Sequence, residues 1–249
     1  MKIVVGLGNI KIYLITNCGK NREEIVMHKR IQYDIDKYRF AELVSKAFEV
    51  DDLSLLHINR KDLLPPQKLD FSNESKTKFH ELFYKKLNSP WTSLIESYED
   101  FIKNEISLYF KEGFIYQTFP TFRVHIPNYK AIHQWHYDSD PIHKHPPWEI
   151  NVQVPLTKII NTQATWIESV PGLEDFLPME MDYGEYVFFD GNRCKHGNRV
   201  NKEGHTRVSF DFRVMPLSKY TGQSKSSVTS QKRFIVGEYY KIFNKLDEG

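Results

Sequence analysis

His136-Tyr137-Asp138, then His196, then Arg207-Val208-Ser209 make an ordered set of residues with a shared chemistry. Two imidazoles and one carboxylate can occupy one face of an Fe(II) ion and leave three positions open. Neutral imidazole and ionised carboxylate are the forms these side chains take near pH 7, so they are ready to ligate. Asp138 stands fifty-eight residues before His196, and Arg207 follows His196 by eleven. A guanidinium presents paired donors that match a carboxylate, and the Ser209 hydroxyl can add another beside it. A His-x-Asp pair alone is a weak signal, whereas the complete ordered set is a strong one. Other histidines compete for the metal: His133, His143 and His145 near the first pair, and His205 two residues before Arg207. A structural Zn2+ site usually recruits closely spaced Cys and His pairs, and the chain has no Cys-x-x-Cys.

Ligands so far apart in sequence need elements that bring them together. His136 and Asp138 are two apart, so on an extended strand they face one side. After Gly113 the pattern is β-favouring, with strands expected at 115–126, 148–155, 162–169, 184–190 and 205–214. Along 206–214, Arg207, Ser209, Asp211 and Arg213 alternate with Val208, Phe210, Phe212 and Val214, so one face is charged and the other apolar. Before Gly113 the chain is mostly helical. Residues 22–49 are charged and helix-compatible, Pro65-Pro66 marks a loop, and helices are expected at 73–88 and 92–112. Two short strands, 2–5 and 10–16, flank Gly6-Leu7-Gly8. A dinucleotide fingerprint fails there, because the third glycine is missing and a strand follows. A basic, Ser-rich stretch at 218–233 reads as a loop, and 234–246 as a terminal helix. Helices first and strands afterwards predict an α+β layout, with helices backing one sheet.

Composition narrows the setting. The chain has 249 residues, 40% hydrophobic and 27% charged, enough for one large domain with a full core. We therefore expect one domain over 1–249: a helical part to 112, a strand-built core over 113–217 and a loop with a terminal helix over 218–249. A net charge of +2 argues for neither nucleic acid nor an anionic membrane as partner. Two cysteines, Cys18 and Cys194, are too few for a disulfide framework and predict reduced thiols in the cytoplasm. No apolar run reaches the roughly 20 residues that span a bilayer.

The segment 117–217 resembles the Fe(II)/2-oxoglutarate-dependent oxygenases, and within them the StrG-like branch related to phytanoyl-CoA dioxygenases. The resemblance rests on Gln117-Thr-Phe-Pro-Thr-Phe-Arg123, Trp135-His-Tyr-Asp-Ser-Asp140, Glu149-Ile-Asn151, Val154-Pro-Leu-Thr157, Phe189-Asp-Gly191, His196-Gly197 and Arg207-Val-Ser-Phe-Asp-Phe-Arg213. It implies a double-stranded β-helix, the jelly-roll core also found in cupins. It implies Fe(II) on His136, Asp138 and His196, and 2-oxoglutarate held at its 5-carboxylate by Arg207 and Ser209. It also implies a reaction with O2 that releases succinate and CO2, hydroxylation of a small-molecule substrate being the usual outcome. Related halogenases carry Gly or Ala where this chain has Asp138, so the aspartate points away from halogenation. The branch is associated with aminoglycoside and other sugar-metabolite pathways. Nothing in the first 110 residues carries the resemblance.

Two further residues have two readings. Arg123 shares a strand face with Gln117, Phe119, Thr121 and His125, and Asn151 shares one with Glu149 and Gln153. A polar row inside a barrel must be hydrogen-bonded by a ligand or by itself. Arg123 and Asn151 are thus either cosubstrate or substrate contacts, or members of a structural network. Trp135, Tyr137, Trp148 and Trp166 are candidate pocket walls. A non-oxidative, cupin-like metal protein or isomerase would keep the metal ligands and have no use for Arg207-x-Ser209. A nucleic-acid demethylase would need a basic groove, and Lys219, Lys225, Lys232 and Arg233 are better read as a solvated loop.

Overall fold

Two hydrophobic periods dominate the chain, near 3.6 residues before Gly113 and two after it, and the computed structural model turns them into helices and antiparallel strands. It describes residues 6–7, 10–11, 28–65, 77–87, 92–131, 134–228 and 230–244. The expected strand at 2–5, most of that at 10–16, the start of the 22–49 segment, and His133 lie outside the described residues. The strands are β1 (Gly6–Leu7), β2 (Ile10–Lys11), β3 (Ile31–Gln32), β4 (Phe114–Gln117), β5 (Thr121–His125), β6 (Ile150–Pro155), β7 (Thr165–Ile167), β8 (Leu177–Met179), β9 (Glu185–Phe189), β10 (His196–Asn198), β11 (Arg207–Pro216) and β12 (Tyr240–Phe243). The helices are α1 (Phe40–Phe48), α2 (Leu56–Asn59), α3 (Lys78–Leu87) and α4 (Thr92–Asn104).

β11 is the spine of the large sheet, whose order is β12-β4-β11-β6-β9-β3. One edge of β11 pairs with β5 through its first half and with β4 through its second, and the other edge pairs with β6, all antiparallel. The single run expected at 115–126 is therefore two strands. Pro120 lies in the break, and a residue without an N–H cannot continue a ladder. A second, three-stranded sheet has the order β10-β7-β8.

The apolar side of the large sheet is covered by helices. α3 buries Phe79, His80, Phe83 and Leu87, and α4 buries Leu94, Tyr98, Phe101 and Ile102, each set on one helical stripe. Phe83 stacks on Phe122 of β5 at 4.2 Å between ring centroids, and Tyr98 meets Phe212 of β11 edge-on at 5.2 Å. Val208, Phe210, Phe212 and Val214 belong to this core. The opposite faces of β11 and β6 carry the polar residues that matter below. A smaller cluster, including Ile167 and Met179 from the three-stranded sheet with Val187 and Phe189 from β9, joins the two sheets.

Two expectations are corrected. The helix over 22–49 begins only at Phe40. Asp34 accepts from the N–H groups of Asp36 and Lys37 at 2.9 and 3.1 Å, which fixes a turn, and Ile31–Gln32 pair with β9 instead. The terminal helix expected over 234–246 does not form in the described residues 234–244. Gly237 sits at φ +90°, a conformation no α-helix contains, and Tyr240–Phe243 add to the open edge of β4 as β12. No helix among the described residues is long and apolar enough to cross a membrane.

His80 offers a test of this packing. Its ring lies edge-on to Phe122, its Nδ1 is 2.8 Å from Thr77 Oγ1, and burial, reinforced by Arg123, lowers its pKa to about 3. An unfolded histidine titrates near 6.5, so below that pH the unfolded chain takes up a proton that the folded chain refuses. The contribution of neutral His80 is then complete above about pH 6.5 and lost toward pH 3, at about 1.4 kcal/mol per pH unit. Urea unfolding of His80→Gln between pH 6 and 5 should show a slope shallower than wild type by about that amount.

Candidate metal centre and active site

The backbone brings the two ligand segments together. His136 N–H donates to the His196 carbonyl at 3.0 Å, and His196 N–H donates back to the His136 carbonyl at 2.9 Å. The neighbouring turn is held by Asp138 N–H on the Gly191 carbonyl at 2.9 Å. A Cβ on Gly191 would lie 3.0 Å from the Asn151 amide, and one on Gly197 would lie 2.9 Å from the Trp135 ring, so both glycines permit close approach.

His136, Asp138 and His196 are buried, and their ligand atoms all lie within 4.8 Å of one another. His136 Nδ1 donates to the Gln134 carbonyl at 3.0 Å, and His196 Nδ1 donates to the Cys194 carbonyl at 3.1 Å. With Nδ1 so committed, Nε2 is the nitrogen of each ring left to face the site, and both Nε2 atoms lie near Asp138 Oδ1, at 3.5 and 3.6 Å. Burial, then the neighbouring His136, lowers the His196 pKa to about 4, so this ring is neutral at physiological pH. Burial pushes Asp138 up, but Arg213 and the hydrogen bond from His136 outweigh it and hold the carboxyl well below its ordinary value. Burial lowers His136, while the carboxylate beside it raises it further, leaving a net rise. A divalent cation would compete with that proton for Nε2.

The distal donors lie along β11. Arg207 is 1% exposed and donates through Nη1 to the Gln163 carbonyl at 2.9 Å and to Thr165 Oγ1 at 3.3 Å. Its Nε and the Ser209 hydroxyl are buried with no protein partner, and no carboxylate among the described residues pairs with Arg207. Burial, then the like charge of Arg123, lowers its pKa to about 10, so the guanidinium is charged near neutrality. A buried, charged guanidinium is stable only with an anion to compensate it. Arg207 and Ser209 therefore fit a carboxylate, and the three ligand atoms fit a divalent metal.

Asn151 and Arg123 occupy the same inward side. Asn151 Nδ2 donates to Asp138 Oδ2 at 2.8 Å, and Arg123 Nε donates to Asp211 Oδ2 at 2.7 Å, directly across the ladder from Ser209. The contacts seen for this pair are with protein carboxylates. Of the competing histidines, His205 is exposed, and His145 Nδ1 lies 2.7 Å from Glu149. His143 sits 2.9 Å from Asp140 and stacks on His136, ring centroids 4.0 Å apart, a contact that sequence reasoning missed. It also missed Gln163 and Thr165 as the seat of Arg207, and the roles of Asp211 and Arg213. The alternation along β11 held the signal for the last two: a carboxylate flanked at two-residue spacing by an arginine. Of the candidate wall residues, Trp135 packs on Gly197 and Phe176, Trp166 lies under Arg199, Tyr137 is half-buried and Trp148 is exposed.

No family model matches the chain. The streptomycin biosynthesis protein StrG of Streptomyces griseus is 32% identical over 216 residues, covering 86% of this chain and 97% of StrG. The chain belongs to the StrG family. The His136, Asp138 and His196 cluster, the part of the motif set that could hold a metal ion, is present in the fold. The matched span is too long to lie after residue 110 alone, so it takes in much of the helical N-terminal part as well. Solved structures with partial backbone overlap include AviO1 from Streptomyces viridochromogenes Tue57, 16% identical over 76% of this chain and 88% of that one, with a TM-score of 0.39. CytC3 is 12% identical over 81% and 79%, with a TM-score of 0.41. HygX from Streptomyces hygroscopicus, solved with nickel and 2-oxoglutarate, is 11% identical over 80% and 87%, with a TM-score of 0.36.

Gly197 tests the link between backbone and ligands. Gly197→Ala forces a methyl group against the Trp135 ring, a crowding that costs about 1–3 kcal/mol in a packed site. Urea unfolding should show that loss, and Trp fluorescence of the folded variant should shift as Trp135 moves.

Proposed function

We propose that this protein is an Fe(II)- and 2-oxoglutarate-dependent oxygenase that hydroxylates a small polar metabolite, a sugar or sugar-derived ring being the favoured class. The observation that supports the cosubstrate is Arg207: a fully buried guanidinium with no carboxylate partner among the described residues, beside a Ser209 hydroxyl also unpaired among them, on the face of β11 that carries Arg213, the partner of Asp138. A non-oxidative metal protein of similar architecture has no use for that pair of donors. The sugar class is supported by StrG, whose name ties it to streptomycin, an aminoglycoside. The two sheets joined through β9 and β7 are proposed to be the two halves of a double-stranded β-helix. Residues 1–249 are proposed to act as one domain, the helices bracing the apolar side of the large sheet.

When bound, Fe(II) and 2-oxoglutarate supply the oxidising power drawn from O2, with succinate and CO2 released. The protein's part is placement. His136, Asp138 and His196 would hold the metal. Arg207 and Ser209 take the far carboxylate of the keto acid and fix its orientation through a fork of donors. Arg123, across the ladder from Ser209, adds a second positive charge near that carboxylate. Phe189 packs edge-on against His196, ring centroids 5.8 Å apart, and braces that ring.

An anaerobic titration with Fe(II) and 2-oxoglutarate reads the proposal directly. The wild type should develop the visible metal-to-ligand charge-transfer band, and His136→Ala should show none. Arg207→Ala should need about 100-fold more 2-oxoglutarate, the scale of a lost charge-assisted pair of hydrogen bonds. Tight metal binding with no band in the wild type would favour the non-oxidative metal protein.

A further inference from the structure

Asp138 presents two unlike oxygens. Oδ1 faces both histidine Nε2 atoms, while Oδ2 is turned away and accepts from Asn151 Nδ2 at 2.8 Å and Arg213 Nη2 at 2.9 Å. Each carboxylate oxygen has about two acceptor sites, so both sites of Oδ2 are in use. Arg213 is itself held: its Nη1 donates to Asp211 Oδ1 at 2.5 Å, and Asp211 Oδ2 accepts from Arg123 Nε at 2.7 Å. Arg213 and Asp211 are 5% and 8% exposed. The planar guanidinium of Arg213 thus spans two carboxylates with different nitrogens, a geometry that a lysine ammonium cannot copy.

On the reading that His136, Asp138 and His196 bind the metal, we infer that Arg213, aimed by Asp211, is a positioning residue that limits Asp138 to one-oxygen ligation. A carboxylate free to swing Oδ2 inward can chelate, and chelation consumes one of the three positions that keto acid and O2 must share. Arg213 and Asn151 prevent this by holding Oδ2 on the opposite side. Asp211 contributes nothing to the metal directly. It fixes the plane of the Arg213 guanidinium, and Arg123 fixes Asp211 in turn. The four charged groups come from β5, β11 and the loop after His136, so three separate segments agree on the orientation of one ligand.

The test uses Mn(II) alone and reads the affinity together with the number of exchangeable waters on the bound ion, from water-proton relaxation. Wild type should retain about three such waters, one for each open position. Arg213→Met should bind Mn(II) about 10- to 100-fold more weakly, the usual range for a lost partner of a metal ligand. Its bound ion should also lose about one third of the water contribution. Asp211→Asn should shift both readouts in the same direction and by less. Arg213→Lys, which can serve one carboxylate at a time, should fall between Arg213→Met and wild type. If burial of charge prevents Arg213→Met from folding, Asp211→Asn and Asn151→Leu decide the matter, with circular dichroism as the check on folding. Wild-type affinity and relaxivity in folded Asp211→Asn and Asn151→Leu, whatever their stability, would overturn the inference and leave the network purely structural. Wild-type Mn(II) binding by His136→Ala would instead show that the ligand set itself is wrong.

Discussion

Charge buried between two sheets has to be compensated, and β11 sets the terms of that compensation. Arg207, Ser209, Asp211 and Arg213 share one face of this strand, and Val208, Phe210, Phe212 and Val214 share the other. The apolar face demands a cover, which α3 and α4 supply with Phe83, Tyr98 and Phe101. The polar face demands partners, and it finds them in Asp138, Arg123, Gln163 and Thr165. A one-residue slip in register would exchange the faces, burying guanidiniums among phenylalanines. The position of β11 between β6 on one side and β4 with β5 on the other is therefore fixed by the cost of every alternative.

Within the polar face the arginines are treated differently. Arg123 and Arg213 are matched by Asp211 and Asp138, and their attraction outweighs burial, so both are raised above the ordinary arginine value. Arg207 has no such partner, and burial lowers it. The protein thus separates a self-satisfied charge network around Asp138 from one buried charge that no carboxylate among the described residues matches. The same contrast runs through the hydrogen bonds. Asp138 Oδ2 has both of its acceptor sites filled, whereas Ser209 Oγ and Arg207 Nε have no partner among the described residues.

His136 and His196 illustrate how a fold orients side chains through its own main chain. Carbonyls two residues upstream take the Nδ1 proton of each ring, which settles the tautomer and turns Nε2 inward. The reciprocal backbone bonds between His136 and His196 fix their separation, and glycine at 197 lets the Trp135 ring lie against the strand. The side chains are therefore placed by main-chain hydrogen bonds, which cost little to maintain because those groups need partners in any case.

The sequence by itself determined the residue types and the faces. His136, Asp138 and His196 were legible because ligand chemistry needs those side chains, and the β11 alternation was legible because side chains on a strand repeat every second residue. The helical stripes of α3 and α4 were legible for the same kind of reason. What the sequence could not decide were matters of long-range pairing. The 22–49 segment has helical composition, yet the carboxylate of Asp34 and the free edge of β9 outcompete the helix over residues 31–39, before Phe40. The tail after Phe234 has helical spacing, yet the open edge of β4 draws it out as β12. β8 and β10 are three residues each, too short for any period to show. Which of Asp138 and Asp211 each arginine would meet depends on β5, β6, β11 and the His136 loop arriving side by side, and local composition carries no information about distance. Tertiary structure alone made Arg213 the partner of Asp138 and left Arg207 with no carboxylate among the described residues, because a buried charge takes its role from what lies within a few ångströms of it.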